Sequence, residues 1–460
     1  MATRVSRTLF GTDGIRGVAN QDPMTPELAL ALGRAVTYVA GRGKRHAPRV
    51  IIGKDTRLSG YMLETAFASG ICSMGGRVLL CGPVPTPAVA HLTVSMRADA
   101  GIVISASHNP FADNGIKIFG GDGFKLPDEA EAEIESLMVD GDAVAEARRT
   151  GSAIGRAEKL EDARGRYVAF VKSTFPRDLT LEGLAVVIDA AHGAAYRVAP
   201  AAFQELGARV TAIGVRPNGV NINREVGALH PAHARAEVKK RGAQIGVALD
   251  GDADRVIIID EAGEVVDGDA VMAMCAIRMM RDQELRKGTV VATVMSNLGL
   301  ERSLEARGAR LLRTPVGDRY VVEAMREGGY NLGGEQSGHV IFLDHASTGD
   351  GIIAALQVLA LVVRSGRPLS ELASAAMTRV PQVLENVSLS ARRPLEEMSH
   401  LARASEAVRA ALGAEGRVLV RWSGTEPKLR IMLEGPDEGK IRLWAAELRE
   451  AARKDVPAPA

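Results

Sequence analysis

A pattern of strand, helix, glycine and second strand occurs three times along this chain, and that repetition constrains its fold more than any other feature. Each copy begins with a strand-like apolar run, passes through a helical segment and resumes after a glycine with a second apolar run. The three pairs of runs lie at residues 49–52 and 75–80, 185–188 and 206–210, and 290–292 and 307–312. Strands that alternate with helices pack as layers. The sequence therefore predicts three similar α/β domains with mixed sheets.

The last part of the chain follows a different pattern, which predicts a smaller α+β domain. Strand-like runs and helical segments alternate there at residues 386–389, 399–412, 417–421 and 439–452. A length of 460 residues accommodates four domains of ordinary size. We therefore expect four domains around a central cleft, with limits at residues 1–155, 156–256, 257–372 and 373–460.

The composition argues against several classes of protein. A hydrophobic content of 46% and a charged content of 25% are typical of a soluble globular protein. The formal net charge of +1 gives no electrostatic reason to expect nucleic acid or a membrane as a partner. The longest apolar run, residues 351–363, is too short to span a bilayer and predicts a buried helix. The polar start of the chain and three cysteines without metal-ligand spacing favour a cytoplasmic protein with reduced thiols.

Polar loops follow a strand in each of the three repeats. They lie at residues 105–109, 250–255 and 333–339. Ligands of α/β sheets bind outside the carboxyl ends of the strands. We therefore expect these three loops to face one cleft.

The first of these loops carries a candidate nucleophile, Ser107, beside His108. A serine in a Ser-His dipeptide is more often a turn or cap residue, so the dipeptide alone is weak evidence. The loop has no Gly-x-Ser-x-Gly elbow, and a hydrolase with a Ser-His-Asp triad is therefore poorly supported. Acceptance of a phosphoryl group fits this serine better than acyl transfer.

The second loop places three carboxylates at alternate positions, Asp250, Asp252 and Asp254, beside Arg255. Oxygen ligands in this density suit Mg²⁺ bound near phosphoryl oxygens. The spacing also resembles the start of an EF-hand calcium loop, but that loop needs glycine where this chain has Arg255, and a strand-like run follows. A catalytic divalent-cation site is the preferred interpretation.

A fourth polar loop, residues 421–430, lies in the C-terminal segment. Arg421 and Arg430 flank small and hydroxyl-bearing residues, an arrangement in which guanidinium groups and backbone N–H groups can bind an anion. A solvated turn is the alternative for such a stretch. The two arginines favour a phosphate clamp.

Four motifs in this order resemble the α-D-phosphohexomutase family over essentially the whole chain: residues 10–17, 105–110, 250–255 and the loop from 421. Three further details, at residues 104–107, 313–320 and 334–339, are similar to the bacterial branch that acts on glucosamine phosphates. Family members that act on mannose and glucose phosphates usually carry methionine where this chain has Gln336. A glutamine there suggests a sugar that offers different hydrogen bonds, such as one with a 2-amino group.

The resemblance implies an isomerase that interconverts glucosamine 6-phosphate and glucosamine 1-phosphate, a step toward amino-sugar nucleotides and the cell wall. Ser107 would carry the phosphoryl group, and a sugar bisphosphate would be the intermediate. One Mg²⁺ per chain would be bound by Asp250, Asp252, Asp254 and an oxygen of the Ser107 phosphate. Arg16 and Arg255 would assist the transfer.

The resemblance also implies roles for further residues. Lys117 and His108 are the candidates for general acid/base catalysis, and Glu335, Gln336 and Ser337 for contacts with the sugar. The remaining candidates would bind the non-transferring phosphate or line its path: His339, Arg421, Ser423, Gly424, Thr425 and Arg430.

Three other functions remain open at this point. The chain could prefer glucose or mannose phosphates, act as a metal-dependent sugar phosphatase, or bind phosphosugars without catalysis. In each case the expected partner is a small phosphosugar, and assembly as a homodimer is compatible with the sequence. We also expect the C-terminal domain to close over the bound sugar phosphate.

Overall fold

The computed structural model describes residues 8–11, 13–139, 142–423 and 428–458. The chain divides into two compact units. The first contains Met1–Met295 and Ala309–Ala376, and the second contains Ser296–Gly308 and Met377–Ala460. Three sheets lie in the first unit and a fourth sheet lies in the second.

The first sheet has six strands in the order β1-β5-β4-β2-β3-β6. The four strands β4, β2, β3 and β6 run parallel, whereas β5 is antiparallel to both β4 and β1. The strands are β1 (Ile15–Val18), β2 (Arg49–Lys54), β3 (Arg77–Pro83), β4 (Ala100–Ile104), β5 (Asp113–Gly120) and β6 (Arg156–Lys159). The helices are α1 (Pro26–Gly41), α2 (Ser59–Ser73), α3 (Thr86–Ser95), α4 (Asp128–Val139), α5 (Asp142–Glu146) and α6 (Ala163–Ser173).

The second sheet has the order β11-β10-β9-β7-β8 and is also mixed. Its elements are β7 (Ala185–Asp189), α7 (Val198–Glu205), β8 (Arg209–Ile213), α8 (Ala232–Arg241), β9 (Ile245–Leu249), β10 (Val256–Ile259) and β11 (Val265–Val266). Every residue of β9, like every residue of β4, is buried. Strands covered on both faces consist of continuous apolar runs, which is what both sequences show.

The third sheet has the order β13-β12-β14-β15, with β15 antiparallel at one edge. Its segment of the chain contains α9 (Gly268–Arg281), β12 (Thr289–Thr293), α10 (Leu298–Glu305), β13 (Arg310–Thr314), α11 (Asp318–Gly328), β14 (Leu332–Gly334), β15 (Val340–Phe342), α12 (Gly351–Ser365) and α13 (Leu369–Ala376). Helix α10 belongs to the second compact unit, although β12 and β13 on either side of it belong to the first.

The fourth sheet is antiparallel, in the order β16-β18-β17. Its elements are β16 (Gln382–Ser388), α14 (Ser399–Leu412), β17 (Arg417–Trp422), β18 (Lys428–Glu434) and α15 (Glu438–Asp455). Apolar side chains of α14, α15 and the strands form the core of this unit. The unit therefore has a core of its own, in which burial of each such side chain contributes about 1.5–3 kcal/mol.

These elements confirm the predicted fold class of three α/β parts with mixed sheets and a C-terminal α+β part. The predicted buried helix is α12, which is almost entirely buried and packs against α9. The four domain limits stay predictions. The sheets show that β6 pairs in the first sheet and that the second sheet continues through β11.

In the part of the chain that the structure describes, no single helix is long and apolar enough to cross a membrane. Helices α12 and α13 taken together, bent by 102°, meet the same length and composition test.

Candidate active site

The Ser107 hydroxyl lies at a junction between the first and second sheets. Its Oγ donates a hydrogen bond to Oδ2 of Asp250 at 2.6 Å. Ser107 follows β4 and Asp250 follows β9, so the carboxyl ends of two buried strands meet here. Gly251 permits the close approach, because a Cβ at that position would lie 2.4 Å from the carbonyl oxygen of Ser107. The site therefore depends on a glycine between two of the acidic residues.

The backbone of the serine loop adopts a restricted conformation. Ser107 has a φ of 52°, in the left-handed region that few non-glycine residues occupy. Such conformations persist where surrounding contacts enforce them, and they cluster at active sites. One of those contacts is Oγ of Ser105, which accepts from the Ser107 amide at 3.0 Å and donates to Oδ2 of Asp55 at 2.6 Å.

The three acidic side chains of the second loop form one cluster. Asp250, Asp252 and Asp254 are all buried, and their ligand oxygens lie within 4.8 Å of one another. Burial, followed by the carboxylates of Asp254 and Asp252, raises the pKa of Asp250 well above its ordinary value. Among the described residues, Oδ1 of Asp252 and Oδ1 of Asp254 are buried without a hydrogen-bond donor. This donor set, with uncompensated oxygens and clustered negative charge, fits a hard divalent cation such as Mg²⁺.

Lys117 lies directly against this acidic cluster. It is on β5, and its Nζ is 3.1 Å from Oδ2 of both Asp252 and Asp254. Burial lowers the pKa of the ammonium group. The carboxylates of Asp13, Asp252 and Asp254 together raise that pKa by more than burial lowers it, so it lies well above its ordinary value. Lys117 therefore carries a positive charge beside the serine loop.

His108, Arg255 and Arg16 surround the other side of Ser107. Nη1 of Arg255 is 3.1 Å from Nδ1 of His108, and that ring nitrogen is 3.3 Å from Oγ of Ser107. Burial and the guanidinium groups of Arg255 and Arg16 lower the pKa of His108 to about 4. Arg16 pairs with Asp13. The imidazole is thus neutral near pH 7, and two guanidinium groups contact the loop: Arg255 at His108, and Arg16, whose Nη1 donates to Oδ1 of Asn109 at 3.4 Å.

His339 is buried behind the acidic loop. Its Nδ1 is 3.7 Å from Oδ1 of Asp254, its Nε2 is 3.6 Å from Oδ2 of Asp318, and the amide of Gly349 donates to Nε2 at 3.1 Å. Burial lowers the pKa of His339, but Asp254 and Asp318 raise it, and the net direction is upward. The contacts of His339 are with the carboxylates of the first unit.

The third predicted loop joins this cluster through its backbone and its carboxylate. The amide of Val256 donates to the carbonyl of Gly338 at 3.1 Å, which connects the loop to the residue after Arg255. Glu335 accepts from the amide of Gly317 at 3.2 Å and from Oγ of Ser337 at 3.3 Å. The structure therefore brings the three predicted loops together.

Gln336 in this loop is half-buried, and its amide nitrogen is 3.4 Å from Oδ2 of Asp267. Asp267 also caps α9 by accepting from the amide of Ala270 at 3.1 Å. The adjacent Ser337 is exposed. These two polar side chains and Glu335 are the accessible groups of the loop.

The fourth predicted loop lies in the second unit. Arg421 on β17 and Arg430 on β18 are directly opposite in the strand register, and both are half-buried. Like charges directly opposite on neighbouring strands are destabilising, and an anion between them relieves the repulsion. Ser423 is buried, and its amide donates to the carbonyl of Lys428 at 2.8 Å. Gly424 and Thr425 lie outside the described residues.

A second group of ion pairs next to Lys117 was not predicted from the sequence. Lys125 forms ion pairs with both Asp13 and Asp318, and Asp13 also lies 3.3 Å from Nζ of Lys117. Asp13 belongs to the motif at residues 10–17, which was a usable signal. Asp318 lies in the segment 313–320 that carries the resemblance, but its pairing with Lys125 had no local signal, because it joins residues 193 positions apart.

The chain matches four domain families along its length. Their descriptions are Phosphoglucomutase/phosphomannomutase alpha/beta/alpha domain I at residues 7–144, alpha/beta/alpha domain II at 165–263, alpha/beta/alpha domain III at 267–380 and C-terminal domain at 384–451.

Individual relatives match nearly the whole chain. A phosphoglucosamine mutase from Sorangium cellulosum (strain So ce56) is 68% identical over 450 residues, covering 98% of this chain and 94% of that protein. A second, from Anaeromyxobacter sp. (strain Fw109-5), is 59% identical over 453 residues, covering 98% and 96%. Among solved structures, a phosphoglucomutase/phosphomannomutase family protein from Burkholderia thailandensis has the same fold, with a TM-score of 0.80, 24% identity and coverage of 99% and 100%.

Proposed function

Because this chain belongs to the phosphoglucomutase/phosphomannomutase family, we propose that it interconverts glucosamine 6-phosphate and glucosamine 1-phosphate through a phosphoserine at Ser107. The observation that carries the proposal is the Ser107 hydroxyl, which donates to Asp250 at 2.6 Å inside a cluster of carboxylates and cations. The name phosphoglucosamine mutase on near full-length relatives supports the amino-sugar substrate.

The proposed reaction consists of two phosphoryl transfers. In the first, the bond from phosphorus to Oγ of Ser107 breaks as phosphorus bonds to O1 of glucosamine 6-phosphate; the proton of the O1 hydroxyl passes to a base of the site, and Oγ gains a proton to become a hydroxyl. The product is glucosamine 1,6-bisphosphate. After the bisphosphate has reoriented in the site, Oγ of Ser107 loses its proton and bonds to the phosphoryl group of O6, while the bond from phosphorus to O6 breaks and O6 gains a proton. Phosphate and protons balance over the cycle, and no water is consumed.

The acidic cluster is the proposed site of one Mg²⁺ per chain, bound by Asp250, Asp252, Asp254 and an oxygen of the phosphoserine. When bound, the cation neutralises negative charge on the phosphoryl group in transfer. The family resemblance and the fit of the three carboxylates support this assignment.

The cations of this chain stabilise the same developing charge. Arg255 contacts His108, the charge of Arg16 also acts on that imidazole, and Lys117 is held beside the carboxylates proposed to bind the metal. Fixed cations in a buried site stabilise a transition state strongly, because they need no reorganisation during the reaction. Arg255 has a further role in positioning, since it donates to Nδ1 of His108.

General acid/base catalysis is assigned to Lys117 and His108. Nδ1 of His108 lies 3.3 Å from Oγ of Ser107, and Nζ of Lys117 lies 3.1 Å from the carboxylates of Asp252 and Asp254, so one can serve the hydroxyl that loses a proton and the other the oxygen that gains one. A positioned acid or base contributes on the order of 10²- to 10⁴-fold. Replacement of either residue should therefore reduce turnover greatly without always abolishing it.

Substrate recognition is divided between the sugar and the distal phosphate. Glu335, Gln336 and Ser337 would bind sugar hydroxyls and the amino group. The proposed phosphate-binding set consists of His339, Arg421, Ser423, Gly424, Thr425 and Arg430. The opposed pair of Arg421 and Arg430 supports the phosphate role, since an anion relieves its repulsion. The cytoplasmic location and the homodimer stay predictions.

A parallel assay tests the proposal. The purified protein with Mg²⁺ is given glucosamine 6-phosphate, glucose 1-phosphate and mannose 1-phosphate, and each mutase product is quantified together with inorganic phosphate. We expect the highest kcat/KM with glucosamine 6-phosphate and no phosphate release above that of a Ser107→Ala control. Higher activity on glucose or mannose phosphate would contradict the amino-sugar assignment, and phosphate release that matches substrate loss would indicate a phosphatase.

A further inference from the structure

Among the residues that the structure describes, Arg57 is the largest side chain that is completely buried, with 0% exposure. It follows β2 and precedes α2, so it lies outside the four motifs of the sequence. Arginine is almost never fully buried unless its charge and its donors are paired. Its surroundings therefore indicate what its charge is used for.

The N–H groups of the Arg57 guanidinium donate to the carboxylate of Asp55 and to backbone carbonyls between Ser107 and Asp113. Nε donates to Oδ2 of Asp55 at 2.8 Å. Nη2 donates to the carbonyl oxygens of Ser107 at 3.0 Å and Asn109 at 2.8 Å. Nη1 donates to the carbonyls of Asp113, at 3.0 Å, and Pro110. A guanidinium has five N–H donors, and here all five are used: one on Asp55, two on carbonyls of the serine loop, and two on the carbonyls of Pro110 and of Asp113 at the start of β5.

A second side chain holds the same loop from the second sheet. Asn223, between β8 and α8, donates from Nδ2 to the carbonyl oxygens of Ser107 at 2.8 Å and Asn109 at 3.1 Å. These are the two carbonyls that Nη2 of Arg57 also contacts. The serine loop is thus bound from two sheets at the same two oxygens.

Asp55 connects the hydrogen bonds of Arg57 to the amide of Ser107. Its Oδ2 accepts from both Arg57 and Oγ of Ser105, and Oγ of Ser105 accepts from the Ser107 amide. The N–H and the C=O of Ser107 are therefore both fixed by one network. This accounts for a non-glycine residue with a φ of 52°.

We infer that Arg57 and Asn223 are positioning residues. They hold the backbone of Ser107, so that its side chain has the same orientation in the free and the phosphorylated enzyme. The inference rests on the proposed function. Ser107 changes from a neutral hydroxyl to a phosphate dianion and back in every cycle, and the second transfer must return phosphorus to the same oxygen. A backbone held through its carbonyls confines that change to the side chain.

The residue type matters because the contacts are spread over four carbonyls. Lysine has three donors at one point, so Arg57→Lys keeps the charge near Asp55 but loses most of these contacts. A misplacement of about 1 Å at a reacting group costs about 10²-fold in rate. We expect kcat of Arg57→Lys to fall roughly 10- to 100-fold, with KM changed by less than about threefold, because the proposed phosphate and sugar contacts lie elsewhere.

The experiment compares Arg57→Lys and Asn223→Ala with Arg77→Lys, a matched control on β3 whose guanidinium pairs with Glu158 near the surface. Each variant is incubated with glucose 1,6-bisphosphate, and intact mass gives the phosphorylated fraction of Ser107. Thermal unfolding gives the folded fraction. Turnover is then expressed per folded, phosphorylated molecule, so that a loss of stability alone does not change kcat.

We expect Arg77→Lys to equal wild type, Asn223→Ala to lose about 3- to 10-fold in kcat, and Arg57→Lys to lose more. A kcat for folded Arg57→Lys within twofold of wild type, or a rise in KM as large as the fall in kcat, would overturn the inference. If Arg57→Lys does not fold, Asn223→Ala decides, and an unchanged kcat overturns it. Lack of mutase activity in wild type and Arg77→Lys would instead reject the proposed function.

Discussion

The serine and acidic loops of the first unit contrast with the arginine loop of the second unit. Ser107 and Asp250 are 0% and 1% exposed, and the atoms around them are connected by hydrogen bonds and ion pairs. Arg421 and Arg430 are half-buried and lie opposite each other. Burial strengthens every electrostatic interaction, which suits a group that must stabilise a transition state. A phosphate that enters and leaves in each cycle instead needs cations that solvent can reach.

Removal of the proposed nucleophile gives the largest expected effect, because the Ser107 hydroxyl is the group that donates to Asp250. We expect Ser107→Ala to remove nearly all mutase activity and to leave no phosphate on the loop, as measured by coupled assay and peptide mass mapping. Ser105→Ala is the comparison, since Oγ of Ser105 bonds to Asp55 and the Ser107 amide instead. Phosphate found on Ser105 would show that the two serines have been assigned the wrong way round.

The second largest effect is expected from the loss of one carboxylate that is proposed to bind Mg²⁺. Asp252→Asn removes a charge from the cluster while keeping an oxygen for the hydroxyl of Thr86, which donates to Oδ2 of Asp252 at 2.6 Å. Metal stabilisation of a transition state is worth several kcal/mol, so we expect a fall in activity of about a hundredfold or more and a higher Mg²⁺ requirement.

Titration with Mg²⁺ after treatment with a chelator measures this requirement. The control is Asp178→Asn, an exposed carboxylate paired with Arg364, which should behave as wild type. Full wild-type activity in the chelated enzyme would remove the metal from the proposal.

In the second unit, Arg421→Ala should mainly weaken binding. A hydrogen bond to a charged group is worth about 1.5–3 kcal/mol, which predicts a rise in KM of roughly 10- to 100-fold with a smaller change in kcat. If the C-terminal domain closes over the ligand, the variant should also release more bisphosphate per turnover. Arg453→Ala, on the exposed face of α15, serves as the control. A fall in kcat without a change in KM would place Arg421 with the catalytic groups instead.

Buried charge in the first unit is not always functional, and Asp350 allows this distinction to be measured. Asp350 caps α12, accepts from the Tyr167 hydroxyl at 2.7 Å, and burial raises its pKa to about 6. Because the pKa in the folded state is higher than the ordinary value of 3.8, protonation stabilises the fold, and that stability is lost as pH rises from about 4 through about 6.

We expect Asp350→Asn, which keeps Oδ1 for the amides of Ile352 and Ile353 and places its NH2 group against the oxygen of the Tyr167 hydroxyl, to unfold with a free energy about 1–2 kcal/mol higher than wild type at pH 8. Below about pH 4 the difference should vanish. Urea denaturation at the two pH values measures this, and a variant that is less stable than wild type at pH 8 would show that the ionised carboxylate is favourable there.

The smallest expected effect concerns sugar recognition. Gln336→Met removes an amide that can donate and accept, while the backbone bond from Gly268 to the carbonyl of residue 336 remains. One hydrogen bond to a neutral partner is worth about 0.5–1.5 kcal/mol, so the preference for glucosamine over glucose phosphates should be reduced by a factor between a few-fold and about tenfold. The ratio of the two kcat/KM values measures it. An unchanged ratio would mean that another group contacts the amine.

Local signals in the sequence were enough to determine the three α/β repeats, the α+β segment and the positions of Ser107 and the acidic loop. A strand or a helix is encoded by periodicity within about ten residues, and a polar loop after an apolar strand lies at a predictable edge of a sheet. The family resemblance rests on such local motifs as well. The predicted helix at residues 399–412 coincides with α14 for this reason.

Tertiary structure alone decided which side chains meet. The bond from Ser107 to Asp250 joins residues 143 apart, and the contact of Thr86 with Asp252 joins residues 166 apart. The direction of β5, the pairing of β6 with β3 and the ring of hydrogen-bond acceptors around Arg57 are decided in the same way. Pairing over such distances depends on how whole sheets pack together, because no periodicity within a strand or a loop specifies a partner in another sheet. The residues that would carry the chemistry were therefore visible in the sequence, whereas the residues that hold them in place became visible only in the folded chain.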